Sequence, residues 1–591
     1  MSLRAELSDL FGEAFAGLGL DPAYGEVMVS QRPELAQYQC NGALAAAKVA
    51  QMTPRDLAER IVAGVAAEAG DRFADLSIAG PGFINITVTD AVVARRVQEM
   101  ADDLGLGLGI GEPDVPTEIL IDYGGPNMSK ALHVGHLRSA IIGESLKRLF
   151  RSMGHHVVGD IHIGDWGMPV GQLIVALELE RPDLPYFDPD HTGPYPDDPP
   201  VTLDDLSEMY PKIVALVNED PEIAERARRA TFELQNGRPG YVALWRHFHT
   251  VSIAGQRKDF EALDVDFDLW FGESTVRDRL APMVQRLVEQ GIAVESDGAY
   301  VIDVAEPDDK TEIPPLLLTR SDGSYLYTTT DLATLEMRAE AGYDLVLYVV
   351  DARQSLHLEQ VFRAARKAGI VAPSMILEHV AFGTVNGPDG KPFKTREGGI
   401  LRLQDLIRLV TEAAERRLAD ADIAQEYPPE ERAQIARQVG IAALKFGDLA
   451  NHRMSNYILD LDRFTSFEGR TGPYLQYGAV RMRSILRKAE ERDLAPGVVH
   501  PPTAPRARDL MLALLELPEV LERAADLRAP NQIAEYAYDL ATVFNRFYEA
   551  CHILREEDPH RQASWLQLVA ITLRTLAVVL EILGIEIPER M

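Results

Sequence analysis

Thr117–Ile161 reads TEILIDYGGPNMSKALHVGHLRSAIIGESLKRLFRSMGHHVVGDI, and the order of signals inside it decides the fold class. Thr117–Tyr123 is a short β-rich run. Gly124-Gly-Pro-Asn127 breaks it, an apolar period of helical spacing follows from about Gly135 to Met153, and after Gly154 the segment His156–Ile161 is strand-like again. Strand, loop, helix and strand in that order mark an α/β nucleotide-binding sheet. In such sheets ligands lie beyond the carboxyl ends of the strands, where helix N-termini offer unpaired N–H groups to phosphate. His133 and His136 stand three apart at the expected helix start, so they can face one way. Gly135 leaves room for a flat base or a phosphate to approach the backbone. Two imidazoles placed there can stabilise charge developing on phosphate oxygens. An isolated His-x-Gly-His could equally be an ordinary helix start. The strand before it, the Pro-Asn turn, Lys130 upstream and the helix after it weigh toward a site. His155 and His156 lack such a context and read as a turn.

Outward from this core, the pattern divides the chain. Residues 1–112 read as an α+β unit, with helix-like Pro54–Ala69 and alternating Phe73–Ile78 and Gly82–Thr89; the Gly- and Pro-rich Gly105–Pro116 reads as a linker. Residues 113–180 form the first half of the sheet domain. Residues 181–309, opening with the acidic, Pro-rich Asp183–Thr202, read as a mainly helical insertion. Strand-like Leu345–Val350 and Met375–Phe382 complete the sheet within residues 310–405. From residue 406 to 591 the pattern is helical, with no convincing strand. The fold class is therefore multidomain α/β: a Rossmann-like parallel-sheet catalytic domain with an insertion, an α+β N-terminal domain and an all-α C-terminal domain.

Composition bounds the rest. A length of 591 residues calls for several domains, and 46% hydrophobic with 25% charged residues is a soluble globular balance. Uninterrupted apolar runs such as Leu345–Val350 are too short to span a bilayer, and the charged N-terminus has no signal-peptide apolar core, so a cytoplasmic protein without membrane contact is expected. Two cysteines, Cys40 and Cys551, cannot supply a thiolate zinc site, and no protein-bound metal is expected. The net charge of −32 argues against a general polyanion binder, because nucleic-acid affinity rests on Lys and Arg. A local basic face can still serve.

Pro126–His136 resembles the "HIGH" motif of class I aminoacyl-tRNA synthetases, in a His-Val-Gly-His form. The longer run Pro126–Ser139 and the segment His162-Ile-Gly-Asp-Trp-Gly167 are similar to the arginyl members of that family, and the similarity extends over essentially the whole chain. The resemblance implies ATP-dependent activation of L-arginine and its transfer to the terminal ribose of tRNA(Arg), with Mg2+ accompanying ATP, by a monomer. It implies catalytic roles for Lys130, His133, His136, Lys394 and Arg396. ATP would be held by Pro126, His133, Gly135, His136, Thr395 and Arg396. The second nucleotide loop of the family corresponds to Gly390–Gly399, where Thr395 stands in place of the expected second Lys; in many arginyl enzymes a Lys just upstream of the first His compensates, and Lys130 matches that position.

A pocket for a planar cation with five donors calls for fixed carboxylates. Tyr327 and Asp331, four apart, can line one cavity if a helix begins near Thr328; Asp331 read alone could equally be a helix-start residue favoured by the dipole. By resemblance the pair contacts the arginine side chain, joined by Gln354. Asp122, Gly125, Pro126, Asn127 and His136 would hold the rest of the amino acid. The resemblance also assigns tRNA contacts to Phe83 and Asn85 in the N-terminal domain, although Phe83 could as well be a core strand residue, and to the helical C-terminus. There Arg470, Tyr474, Arg481 and Arg483 offer cations and an aromatic ring in an acidic chain. Two other readings share some of these features: a small-molecule nucleotidyltransferase, which leaves both flanking domains unemployed, and a catalytically dead RNA-binding paralogue.

Overall fold

Near the N-terminus, alternating sequence builds a four-stranded antiparallel sheet from β1 (Val27–Val29), β2 (Tyr38–Cys40), β3 (Phe73–Ala79) and β4 (Phe83–Val88), in the order β1-β2-β4-β3. Helices α1 (Leu3–Gly17), α2 (Gly42–Ala50), α3 (Pro54–Glu68) and α4 (Asp90–Asp102) accompany it, and Phe11, Phe15, Leu57, Ile61, Ile84, Ile86 and Val97 are buried. The computed structural model describes residues 2–32, 35–68, 70–103, 113, 115–128, 130–387, 390 and 401–591. It divides into two units: Met1–Pro113 with Phe467–Ile582 and Glu586–Met591, and Asp114–Ser466 with Leu583–Ile585.

The second unit carries the parallel sheet. Its strands are β5 (Glu118–Tyr123), β6 (His156–Asp160), β10 (Leu345–Val349) and β11 (Ile376–His379), in the order β11-β10-β5-β6 and parallel throughout. Five successive residues of β5 are buried, as a strand covered on both faces requires. From β5 the chain crosses by α5 (Val134–Ser152) to β6 on one side, while β10 lies on the other. The crevice between β5 and β10 is therefore the topological switch point. Helix α5 lies tight on β5: a Cβ on Gly143 would sit 2.2 Å from the Tyr123 ring. Ser139 ties the elements at the switch, since its Oγ accepts the Gly124 N–H (2.7 Å) and donates to the Val349 carbonyl (2.6 Å).

After α6 (Met168–Glu180) the insertion supplies α7 (Leu203–Glu219), α8 (Pro221–Gln235), α9 (Pro239–Ala262) and α10 (Arg277–Glu289), as its helical pattern predicts. It also holds a hairpin, β7 (Val294–Ser296) and β8 (Ala299–Ile302), joined by β9 (Leu316–Leu317) into a small antiparallel sheet. Asp297 and Gly298 both have positive φ (50° and 79°), the backbone of a two-residue hairpin turn. Helices α11 (Tyr327–Glu340) and α12 (Ser355–Lys367) flank β10, and β12 (Val385–Asn386) follows β11. Beyond α13 (Leu403–Asp420) and α14 (Pro429–Leu449), a two-residue strand β13 (Tyr457–Ile458) pairs in parallel with β12, followed by the short α15 (Leu461–Phe464). The expectation of no strand past residue 406 is corrected there: two residues are too few to leave an alternation in the sequence.

The first unit closes with α16 (Gly472–Glu490), α17 (Pro505–Leu515), α18 (Leu517–Asp526), α19 (Asn531–Ala550) and α20 (Pro559–Ile582). Helix α20 is long and apolar enough to cross a membrane by length and composition alone. Scanning for uninterrupted apolar runs missed it because Arg574 and several Thr and Gln residues interrupt the stretch. Its apolar side chains, among them Leu566, Val569, Ile571, Leu576 and Val579, are buried in the unit as a core helix.

Candidate active site

Three helices, α5, α11 and α12, present their N-termini at the carboxyl edge of β5 and β10. The two imidazoles sit at the first of them. His133 is the N-cap of α5: its Nδ1 accepts the Gly135 N–H (3.0 Å), while His136 Nδ1 accepts the His133 N–H (3.2 Å). This is a capping box made by histidines, and the rings lie 4.0 Å apart. Because each Nδ1 accepts, each neutral ring carries its proton on Nε2 and offers a donor away from the backbone. Burial, followed by the charge of Lys130, pushes the His133 imidazole below its usual range. Burial, helped by His133, takes His136 down to about 3. Both rings are thus neutral donors at neutral pH. Lys130 lies over the Tyr210 ring (4.5 Å to the centroid), and burial lowers its ammonium pKa.

The loop before α5 is held to the one after β6. Met128 N–H donates to the Gly164 carbonyl (2.9 Å), Gly164 N–H donates to the Pro126 carbonyl (3.2 Å), and Gln256 of α9 donates to the Asn127 and Lys130 carbonyls. A Cβ on Gly164 would meet Asn127 Oδ1 at 2.4 Å, so a larger residue there would turn the Asn127 side chain away from this loop. Gly125, Asn127 and Gly135 are exposed at this mouth, and Pro126 is buried beneath it.

At the second N-terminus, helix α11 begins at Tyr327, one residue before the predicted Thr328, and so places Tyr327 and Asp331 one turn apart on one face. Tyr327 is 59% exposed, and its ring lies 4.9 Å from that of His357. His357, in the first turn of α12, has Nε2 2.7 Å from Asp331 Oδ2 and so fixes the carboxylate that sequence reasoning picked out. His357 was missed because nothing local links it to residues 26 positions upstream. Gln354 is exposed on the turn just before α12, with its N–H on the Asp351 carbonyl. A further carboxylate, Glu273, also escaped notice. Its Oε2 accepts the Trp166 N–H (3.2 Å), and burial, then Asp331 and then Asp165 push its carboxyl up to about 7.

Beneath the mouth lies a buried charge cluster. Arg338, two turns along α11 from Asp331 and 1% exposed, donates to Asp122 (2.6 Å) and Asp160 (2.8 Å) from one Nη and sits over the Tyr348 ring. Burial raises the Asp122 carboxyl, and the Arg338 guanidinium opposes it. Asp122, Asp160 and His162 bring three ligand-type atoms within 4.8 Å of one another. Arg338 already supplies the positive charge a cation would bring, and the donor set is not that of a vacant metal site. A cavity of about 790 Å3, lined by Trp166, Phe232, Arg246, Arg277 and others, includes none of the anticipated residues. Lys394, Thr395 and Arg396 lie outside the described residues.

The anticipated RNA contacts fall in the other unit and differ among themselves. Phe83 is half-buried on β4, and Asn85 is buried and accepts from Gln39 Nε2 (3.0 Å). Arg481 lies over the Tyr548 ring (4.4 Å) and lines a cavity of about 660 Å3 with Tyr477, Lys488, Arg492 and Arg555. Arg470 faces Glu535 (3.9 Å), Tyr474 Oη accepts from Asn545 (2.8 Å), and Arg483 donates to the Pro588 carbonyl (2.8 Å); none of these three lines that cavity. Tyr477 and Lys488 share the helix of Arg481, whereas Arg492, Tyr548 and Arg555 lie beyond that helix and are brought to the cavity by the fold.

Residues 113–461 match the family described as tRNA synthetases class I (R), catalytic domain. Residues 475–591 match the DALR anticodon binding domain, and residues 2–88 the arginyl tRNA synthetase N terminal domain. The chain is 48% identical to an arginine–tRNA ligase of Maricaulis maris and 46% identical to one of Alkaliphilus oremlandii, each over 100% of both chains. It shares its fold with the arginyl-tRNA synthetase of Plasmodium falciparum, at a TM-score of 0.81 and 24% identity over 100% of this chain and 99% of that one. With paired imidazoles at a sheet switch point, a Tyr–Asp pair at the same edge and full-length identity of this order, the chain belongs to the arginyl-tRNA synthetases of the class I aminoacyl-tRNA synthetase family.

Proposed function

We propose that the crevice between β5 and β10 carries out both steps of this family's reaction: it joins L-arginine to AMP at the expense of ATP, then passes the arginyl group to the 3′-terminal ribose of tRNA(Arg). The observation that carries the assignment is the placement of Tyr327 and Asp331 at the same strand edge as His133 and His136. One end of the crevice suits a guanidinium and the other suits phosphate.

In the first step the arginine carboxylate attacks the α-phosphate in line, the new C–O–P bond forms, and the bond to pyrophosphate breaks. His133 and His136, neutral and donating from Nε2, stabilise the charge that gathers on the phosphate oxygens. Lys130 adds a cation beside them, consistent with the loss of a Lys at Thr395; Lys394 and Arg396 are the further phosphate contacts of this reading. Mg2+ arrives with ATP as part of the substrate and screens the phosphates. At the other end Asp331, fixed by His357, accepts from the guanidinium, and Tyr327, Glu273 and Gln354 frame it. The α-ammonium group faces Asp122 and Asn127, where two carboxylates share the single charge of Arg338. In the second step a ribose hydroxyl attacks the carbonyl carbon and AMP leaves. No covalent enzyme intermediate is needed, and positioning supplies much of the rate. The Arg481 cavity supplies cations and rings for stacking on unpaired bases, and Phe83 and Asn85 are the N-terminal tRNA contacts of the same reading.

ATP–pyrophosphate exchange tests this directly. Exchange that depends on arginine, and on added tRNA, supports the two-step scheme, and Asp331→Asn should raise the arginine KM about 10- to 100-fold, the loss expected for a charge-assisted hydrogen bond. Exchange indifferent to arginine would overturn it.

A further inference from the structure

Leu583–Ile585 follow α20 directly in the chain yet belong to the second unit, and Leu583 and Ile585 are buried. They are gripped by Lys445 of α14, which is only 1% exposed. Its Nζ donates to the Gly584 carbonyl (2.6 Å) and to the Asp264 carbonyl (3.2 Å). Gly584 has a left-handed backbone (φ 66°), and a Cβ on it would sit 2.6 Å from Lys445 Nζ. Stability alone does not call for this arrangement. Withdrawing an ammonium from water is costly, and well-packed apolar residues of similar volume often hold a fold as well or better.

The second acceptor shows what the lysine reaches. Asp264 opens the loop after α9, residues 264–268, and the far end of that loop lies against the end of β5. The Phe267 ring is 4.5 Å from the Tyr123 ring, and a Cβ on Gly124 would come within 2.9 Å of Phe267. Tyr123 Oη lies 2.8 Å from the Asp266 carbonyl and 2.7 Å from Glu144 Oε2, and the Asp266 N–H donates to that same Glu144 oxygen (3.3 Å). Glu144 also accepts from Arg148 Nε (2.7 Å), and Arg148 Nη2 donates to the Asp264 carbonyl (3.0 Å) beside Lys445. Each step from Gly584 to Tyr123 is a direct contact. Tyr123 then leads into residues 124–127, the loop at the mouth of the crevice.

We propose that Lys445 is a positioning residue for adenylate formation. By holding Gly584 and Asp264 together it sets how residues 264–268 press on Tyr123 and Gly124, and so where the crevice loop holds the reacting end of arginine. The inference rests on the reading above that this crevice forms the adenylate. Its consequence falls on one end of the substrate. The guanidinium end is set by Asp331 and His357 on α11 and α12, outside this chain of contacts. Loss of the Lys445 ammonium should leave arginine binding nearly intact while the carboxylate sits off line from the α-phosphate. A misplacement of about 1 Å there costs on the order of 10²-fold in rate.

Arginine-dependent ATP–pyrophosphate exchange by the full-length chain, at saturating tRNA, tests this, with urea unfolding to count the folded chains. Lys445→Met keeps the length of the stem and removes the donors. Its kcat per folded chain should fall about 10- to 100-fold, with the arginine KM within about threefold of wild type. Gly584→Ala attacks the same contact from the other side, away from the crevice, and should show the same split; if Lys445→Met does not fold, Gly584→Ala carries the test. The double variant should be no slower than the slower single variant, since both break one contact. A kcat within about twofold of wild type in either folded variant overturns the proposal and leaves the crevice reading standing. So does a rise in the arginine KM beyond that range, or a double variant whose loss is the product of the two single losses. Absence of arginine-dependent exchange in the wild-type chain overturns the crevice reading and the proposal together.

Discussion

A histidine at an adenylating site can act as a cation or as a neutral donor, and the backbone decides which at His136. Its Nδ1 is taken by the His133 N–H and its ring is buried, so the imidazole stays neutral down to about pH 3. Two outcomes follow. His136→Ala should lower kcat for adenylate formation about 10²- to 10³-fold, the usual cost of losing one transition-state donor, with His136→Asn, which keeps an N–H, losing less. The pH profile of kcat between 5 and 8 should contain no acid limb from His136; a limb that disappears in His136→Asn would contradict the neutral-donor role. These residues were legible because their spacing is local: His-Val-Gly-His after a strand carries its meaning within four positions. Tyr327 and Asp331 were legible only through family resemblance, since a Tyr and an Asp one turn apart occur in many helices. Glu273 and His357 were not legible, because their partners Trp166 and Asp331 lie 107 and 26 residues away and only the fold joins them.

At the scale of elements, α5 and α11 set the geometry of the crevice, and each is fixed by a buried contact. Helix α5 reaches β5 through Gly143, where any Cβ would enter the Tyr123 ring. Gly143→Ala should therefore cost about 1–3 kcal/mol by overpacking, read as a lowered midpoint in urea, and an unchanged midpoint would show that the helix can shift freely. The same helix is tied to α14 by Arg138, whose Nε donates to Asp448 (3.2 Å) while Tyr457 donates to the other carboxylate oxygen (3.2 Å). Asp448→Asn leaves a buried guanidinium short of its counter-charge and should destabilise by about 3–5 kcal/mol, as breaking one side of a buried pair does. The long strands and helices were readable from periodicity, including the boundaries of α5 and β5 to within a residue or two. The β12–β13 pair and the β7–β8 hairpin were not, because strands of two to four residues leave too few alternations to detect.

For the whole molecule, the net charge of −32 leaves RNA binding to the local placement of cations rather than to their number, on the proposed reading at the Arg481 cavity. Arg481, Lys488, Arg492 and Arg555 gather at one cavity with Tyr477 and Tyr548. Arg481→Ala should raise the KM for tRNA while leaving the arginine KM unchanged, and a change in the arginine KM alone would remove Arg481 from the RNA face. The central claim is that one chain pairs a guanidinium pocket with a phosphate site in order to charge RNA. Its most direct test is a charging assay of the full-length chain with ATP, total tRNA and each of the standard amino acids in turn. The account predicts that arginine alone becomes attached, to its own tRNA fraction, and that Asp331→Asn abolishes most of the label at limiting arginine. Attachment of a different amino acid, or arginine-dependent use of ATP with no label on tRNA, would contradict it.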